Sequence, residues 1–333
     1  MLRSRTYPLL TKPPTGGGSL HSLKPKRLYP GDTIGVIAPA SPGDLQSAQA
    51  GINWLESQGF QVRAGRTLEE THGYLAGNDT IRAADINAMF ASTAVNGIIC
   101  LRGGYGTMRL LNLIDYELIR THPKVFVGYS DITALHLSIS QRTGLITFHG
   151  PMVASDMGRE EPSLYTQDYF LRAVTSNSPL GTIGNPQSAF PPVWIAPGTA
   201  QGTLTGGNLS LIAAILGTPF EIDTRNKILC LEEVGEAPYR IDRMLTQLLL
   251  AGKLQQAAGI VFDVCSGCTP EEGSADFTVA EVLEDRLSRL GIPVLSCLHF
   301  GHTADKATLP LGIAAMLCSE QGGLTVVESA TTD

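Results

Sequence analysis

The sequence predicts an α/β protein with a parallel sheet in its first half and a second, mixed α/β unit behind it. Three observations carry that prediction. Between residues 32 and 150, apolar β-branched runs, Gly/Pro turns and helix-period stretches follow one another, the alternation that places helices on the faces of a parallel sheet. The chain has 333 residues, which at about 150 residues per core corresponds to about two cores. Hydrophobic residues make up 43% against 17% charged, with 36 glycines, a composition that can bury cores and turns often.

In chain order, the first strand is expected at residues 33–38. Its helix is expected to open on Ser41 as N-cap, with Pro42 at the first helical position and Asp44 in the first turn, and to bury Leu45, Ala48, Ile52 and Leu55. Strands follow at 60–63, 97–101, 124–128 and 145–148, with helices near 81–90, 107–114 and 132–141. From Ala154 to Pro197 periodicity fades and Pro, Ser, Asn and Gly accumulate, as in an interdomain connection. The expected organisation is a flexible tail over 1–28, a first domain over 29–160, a linker over 161–197 and a second domain over 198–333. That second domain should hold strands at 228–231, 259–264, 294–297, 313–318 and 324–327, and helices at 238–250 and 279–290.

Charge and hydropathy narrow the partners. With 24 Lys and Arg against 31 Asp and Glu the net charge is −7, so no global positive field attracts nucleic acid or anionic lipid. No apolar run is long enough to span a bilayer, so no membrane partner is expected. The first 31 residues are basic but lack the apolar stretch of a secretory signal; they read as a disordered tail or, alternatively, an organellar transit segment. Six cysteines are scattered along the chain, and Cys100, Cys230 and Cys318 fall inside apolar runs, which suits core packing in a reducing, cytoplasmic compartment.

The segment Lys124-Val-Phe-Val-Gly-Tyr-Ser-Asp-Ile carries the strongest chemical signal. A buried strand runs into Ser130 and becomes a helix at once, the form of a nucleophile elbow, with the Asp131 amide at a helix N-terminus. The competing reading is that Ser130 simply caps that helix. A second strand-to-helix junction, Arg102-Gly-Gly-Tyr-Gly, lacks the third glycine of a dinucleotide fingerprint. It fits better as a close turn over Ser130, with the Gly103 or Gly104 amide as a second oxyanion donor and Arg102 near a substrate carboxylate.

A serine nucleophile needs a base and a carboxylate to orient it. Glu232 and Glu233 end a strand and must point to opposite sides, so only one of them can serve. His299 and His302 lie in an irregular loop after the strand at 294–297. Cys265 and Cys268 allow a zinc site with Cys297, His299 and His302, or a redox dithiol, but one Cys-x-x-Cys pair is a weak signal and two loop thiols is the simpler reading.

Taken in order, Pro30-Gly-Asp-Thr-Ile-Gly-Val-Ile-Ala-Pro-Ala-Ser, Arg102-Gly-Gly-Tyr-Gly, Gly128-Tyr-Ser-Asp, Phe148-His-Gly-Pro-Met, Gly206-Gly-Asn-Leu, Leu231-Glu-Glu with Tyr239-Arg-Ile-Asp-Arg, and Gly301-His302 resemble the LD-carboxypeptidases and the related microcin-immunity peptidases, over about residues 28–318. The resemblance implies Ser130 as nucleophile, His302 as general base and Glu232 as the carboxylate behind it. It also implies oxyanion donors from Asp131 and the Arg102-Gly103-Gly104 turn, and a substrate contact from Asn208, for which a turn-forming role is the alternative. Arg102 or Arg240 would meet the substrate's free carboxylate. The same resemblance implies a flavodoxin-like or amidotransferase-like first domain, a smaller β-rich second domain, a homodimer, no metal and no cofactor. The implied reaction is release of terminal D-alanine from murein tetrapeptides. The alternatives are a peptidyl-nucleotide amide hydrolase of the immunity type or a non-catalytic muropeptide binder.

Overall fold

The computed structural model describes residues 22–333, and the first sheet follows the alternation in the sequence. Its strands β1 (Thr33–Ile37), β2 (Gln61–Ala64), β3 (Gly97–Cys100), β4 (Val125–Gly128) and β5 (Thr147–His149) are parallel and lie in the order β2-β1-β3-β4-β5. That order reverses direction after β2, so the connecting helices divide between two faces. Helix α1 (Leu45–Ser57) packs Ala48 and Leu55 into one core. Helices α2 (Asp79–Ala91), α3 (Tyr116–Thr121) and α4 (Thr133–Thr143) pack Ile86, Phe90, Ile119 and Leu135 into the other. Buried on both sides, β3 and β4 read as unbroken runs, Gly-Ile-Ile-Cys and Val-Phe-Val-Gly. Each fully buried Ile or Phe there stabilises by about 1.5–3 kcal/mol.

Local expectations are corrected in several places. The N-cap of α1 is Asp44, whose carboxylate accepts from the Ser47 amide, and not Ser41. The helix therefore starts three residues later than Pro42 would start it, and Leu45 is left exposed. The expected helix at 107–114 is only a short 3₁₀ turn, Thr107–Leu110, followed by α3. The stretch expected as a linker holds α5 (Leu164–Thr175), β6 (Gly181–Ile183) and β7 (Val193–Ala196). Ser163 caps α5, which buries Tyr169, Phe170, Ala173 and Val174, enough apolar surface to order a helix among prolines. Of the expected tail, residues 1–21 lie outside the described residues. Residues 22–28 are packed: Leu23 bridges to Leu145, Lys26 to Thr332, and Leu28 is buried.

The second sheet contains β6, β7, β8 (Thr199–Asn208), β9 (Lys227–Glu232), β10 (Gly259–Asp263), β11 (Val294–Leu298), β13 (Ala314–Cys318) and β14 (Gly323–Val326), in the order β6-β14-β13-β8-β9-β10-β11-β7. Strands β8 to β11 are parallel and the outer pairs antiparallel. Helices α6 (Leu209–Ala214), α7 (Pro238–Leu250), α8 (Lys253–Gln256) and α9 (Val279–Leu287) accompany the parallel part, with Ile212, Leu245, Leu248, Leu254 and Leu283 in one core. The remaining strand, β12 (Leu309–Leu311), leaves this half and pairs antiparallel with β5, completing a six-stranded first sheet. Among the described residues no helix is long and apolar enough to cross a membrane.

Candidate active site

Ser130 follows β4 through Tyr129, whose backbone is extended, and itself adopts φ 64° before the 3₁₀ turn Ser130–Ile132 and α4. A non-glycine residue in this left-handed region costs about 1–3 kcal/mol and persists only where its surroundings hold it. Gly128 makes the turn possible, because a Cβ there would lie 2.9 Å from Ile132 side-chain atoms. The Ile132 amide closes the turn by donating to the Tyr129 carbonyl at 3.2 Å. No side chain caps the turn or α4, and the Ser130 hydroxyl points instead to an imidazole.

The turn after β3 lies directly on this serine. A Cβ on Gly103 would sit 2.9 Å from Ser130 Cβ, 3.1 Å from its Oγ and 3.4 Å from the Asp131 amide nitrogen. Gly104 has φ 123° and lies against Ser41, whose Oγ accepts from the Tyr105 amide at 3.3 Å. Asp131 holds the two junctions together: its Oδ2 accepts from the Thr107 amide at 2.9 Å and its carbonyl accepts from the Thr107 hydroxyl at 2.5 Å. Burial pushes the Asp131 carboxyl up, and the hydrogen bonds from Thr107 oppose that shift. Arg102, one residue before Gly103, is exposed.

His302 Nε2 lies 3.0 Å from Ser130 Oγ, and His302 Nδ1 lies 2.6 Å from Glu232 Oε2. The serine belongs to the first sheet; the other two side chains leave the carboxyl edge of the second. Glu232 is the last residue of β9 and fully buried, whereas the imidazole, on the loop after β11, is 17% exposed. The Tyr129 ring meets the imidazole edge-on with centroids 4.9 Å apart. Behind it, buried Lys306 pairs with Asp156 and lies 3.3 Å from the Tyr129 hydroxyl.

Asn208 stands beside Glu232 in the β8–β9 register, and its backbone amide donates to Thr133 Oγ1 at 2.9 Å. Asn208 is buried and caps α6: its Oδ1 accepts from the Leu211 amide at 3.2 Å and its Nδ2 donates to Glu233 at 3.1 Å. Glu233 also accepts from the Ser210 amide, so it anchors that cap while Glu232 faces the imidazole. Arg240 is at the surface on α7, bound to Glu236 and Tyr239. Cys265 and Cys268, read as two loop thiols, are joined in a disulfide with Cα atoms 5.5 Å apart. Among the described residues no group of three or more His, Cys, Asp or Glu side chains is arranged to hold a metal ion. Sequence reasoning missed Asp156, Lys306, Tyr129 and Asp263; only Asp263, an acid closing the apolar run Gly-Ile-Val-Phe, left a readable trace.

Fold and geometry together define a doubly wound α/β protein whose strand-to-helix serine meets a histidine–glutamate pair carried by the second sheet. Residues 34–150 match the LD-carboxypeptidase N-terminal domain and residues 201–317 the LD-carboxypeptidase C-terminal domain. The chain belongs to the LD-carboxypeptidase family. It is 43% identical over 313 residues to a Bacillus subtilis protein named "Probable murein peptide carboxypeptidase", covering 94% of this chain and 96% of that one. The muramoyltetrapeptide carboxypeptidase of Oxalobacter formigenes superposes with TM-score 0.80 at 34% identity, over 90% of this chain and all of the other. An MccF-like protein from Bacillus anthracis superposes with TM-score 0.83 at 29% identity, over 92% of this chain and all of the other.

Proposed function

We propose that this protein is a serine exopeptidase that releases the terminal D-alanine of murein tetrapeptides. The observation that carries the reading is the unbroken chain Ser130 Oγ, His302 Nε2, His302 Nδ1 and Glu232 Oε2, with links of 3.0 Å and 2.6 Å. Ser130 attacks the peptide carbonyl as His302 takes its proton, and the Glu232 carboxylate holds the imidazole with Nδ1–H toward itself. The Asp131 and Gly103 amides stabilise the oxyanion. His302 then returns the proton to the departing amine, and water cleaves the acyl-enzyme by the same path. Arg102, beside Gly103, pairs with the free carboxylate that marks a chain end. The names of the Bacillus subtilis and Oxalobacter formigenes relatives support a cell-wall peptide as substrate.

The test is product analysis. Murein tetrapeptide should yield tripeptide and D-alanine with the wild-type protein and neither with Ser130→Ala, whose fold should be unchanged. Unchanged turnover in that variant would remove Ser130 from its role. The likeness to an MccF-like protein favours a second reading, hydrolysis of a peptidyl nucleotide, and an aminoacyl sulfamoyl nucleotide assayed in parallel separates the two. Binding of tetrapeptide without product would leave a muropeptide binder. The family resemblance also supports a homodimer, testable by sedimentation, and the core-packed thiols Cys100, Cys230 and Cys318 support a cytoplasmic location, testable by fractionation.

A further inference from the structure

We propose that Asp263 is a positioning residue for the reaction: it holds a proton, donates it to Glu232, and thereby fixes which carboxylate oxygen faces His302. The inference rests on the reading of Ser130, His302 and Glu232 as one reactive chain, and on three further observations.

The first is register. Strands β9 and β10 are parallel neighbours, with Val261 beside Cys230 and Phe262 beside Leu231. Asp263 and Glu232 are the next residues of the two strands, so the same register carried one residue further sets them side by side at the carboxyl ends. Adjacent strands lie about 4.8 Å apart, and residues in register put their side chains on one face. Two carboxyl groups thus stand side by side, one fully buried and the other 2% exposed.

The second is close approach. Gly301, immediately before His302, lies between them: a Cβ there would be 2.4 Å from Asp263 Oδ2, 2.7 Å from Glu232 Cβ and 3.0 Å from Glu232 Oε2. Asp263 Oδ1 also accepts from the Phe300 amide at 2.9 Å, tying the histidine loop to the end of β10.

The third is the state of the oxygens. Glu232 Oε2 receives His302, but Glu232 Oε1 and Asp263 Oδ2 are both buried and have no hydrogen-bond partner among the protein groups. Two anions in this position would repel each other, and each would leave an acceptor unsatisfied. One proton on Asp263 removes both penalties. Burial pushes the Asp263 carboxyl well above the usual carboxylate range, and the neighbouring Glu232 adds to that shift against the backbone amides of Phe300, Val264 and Gly301, which favour the ionised form. The titratable groups that act on it are Glu232 from β9 and Tyr165 from α5, and His302 reaches Glu232 from the loop after β11.

Asp263→Asn keeps a donor that cannot ionise, and Asp263→Ala removes it. With tetrapeptide as substrate, Asp263→Ala should lower kcat about 10- to 100-fold with little change in KM, the size usual when a group that orients a reactive side chain is lost. Asp263→Asn should recover most of that loss and extend activity to higher pH than the wild type. Infrared difference spectra at neutral pH should show a buried, protonated carboxyl in the wild-type protein that is absent from Asp263→Asn. Ser130 labelling by a fluorophosphonate gives a substrate-independent readout and should slow in parallel with kcat.

Absence of the infrared band, or an Asp263→Asn variant as impaired as Asp263→Ala, overturns the proposal. Wild-type kcat in Asp263→Ala overturns it too. A protein that labels at Ser130 and shows the band, yet releases no D-alanine, would leave the role of Asp263 standing and remove only the substrate.

Discussion

Glu232 and Glu233 are consecutive at the end of β9 and part company there: Glu232 reaches the imidazole of His302 at 2.6 Å, while Glu233 turns away to Asn208 and the Ser210 amide. One residue of offset in a strand reverses the face, so adjacent and chemically identical side chains acquire unrelated tasks. Glu232→Gln should lower kcat by about 10⁴, the loss typical when a triad carboxylate becomes an amide, with the melting temperature nearly unchanged. Glu233→Gln should spare most of kcat and instead weaken the α6 cap, costing about 1–3 kcal/mol by chemical denaturation.

Gly103 tests the packing over the serine. Its α-carbon lies so close to Ser130 that an added methyl would sit 3.1 Å from Oγ. Gly103→Ala should therefore lower kcat at least tenfold, while circular dichroism and the unfolding midpoint move little. An alanine variant with normal kcat would show that this turn does not border the reacting carbonyl.

The buried carboxyl of Asp263 makes stability depend on pH in a definite direction. Its folded-state pKa is raised, so above the unfolded carboxylate value near 3.9 the native state holds a proton that the unfolded chain has released. Stability from this group falls as pH rises, by about 1.4 kcal/mol per unit, until the folded pKa is passed. Denaturant titrations at several pH values should show that slope in the wild-type protein and its loss in Asp263→Asn.

Lys306 and Asp156 form a buried pair beneath Tyr129. Removing one partner leaves the other charge without compensation, so Lys306→Met should destabilise by about 3–5 kcal/mol. The double variant Lys306→Met with Asp156→Leu should recover most of that loss. A double-mutant cycle in urea reads both values directly.

The disulfide is countable. Of the six cysteines, Cys100, Cys230, Cys297 and Cys318 are free. Under denaturing but non-reducing conditions the chain should titrate four thiols, and six after reduction.

The central strands β3 and β4 were legible because they are buried along their whole length and appear as short apolar runs. Ser130 could be found because the strand Val125–Gly128 gives way to a helix almost at once, and His302 because a loop rich in glycine and polar residues follows β11. Helix α5 was hidden by Pro162, Pro179 and the polar residues around it, although Tyr169, Phe170, Ala173 and Val174 keep helical spacing. Strand β12 is only Leu-Pro-Leu, too short to show a period. The partnership of Asp263 with Glu232 depends on strand register, and the Lys306–Asp156 pair spans 150 residues of chain; local pattern reports neither. Cys265 and Cys268 illustrate a different limit, since the same spacing suits two thiols, a metal or a disulfide.

The polypeptide leaves β11 in the second sheet, brings His302 to Ser130, and enters β12 in the first, beside β5. The halves are therefore not separable cassettes. Excising the first would strip β5 of its outer neighbour and leave a bare edge ready to recruit foreign strands. Recombination between relatives would preserve an intact protein only if the C-terminal parent also supplied a β12 that fits the inherited β5.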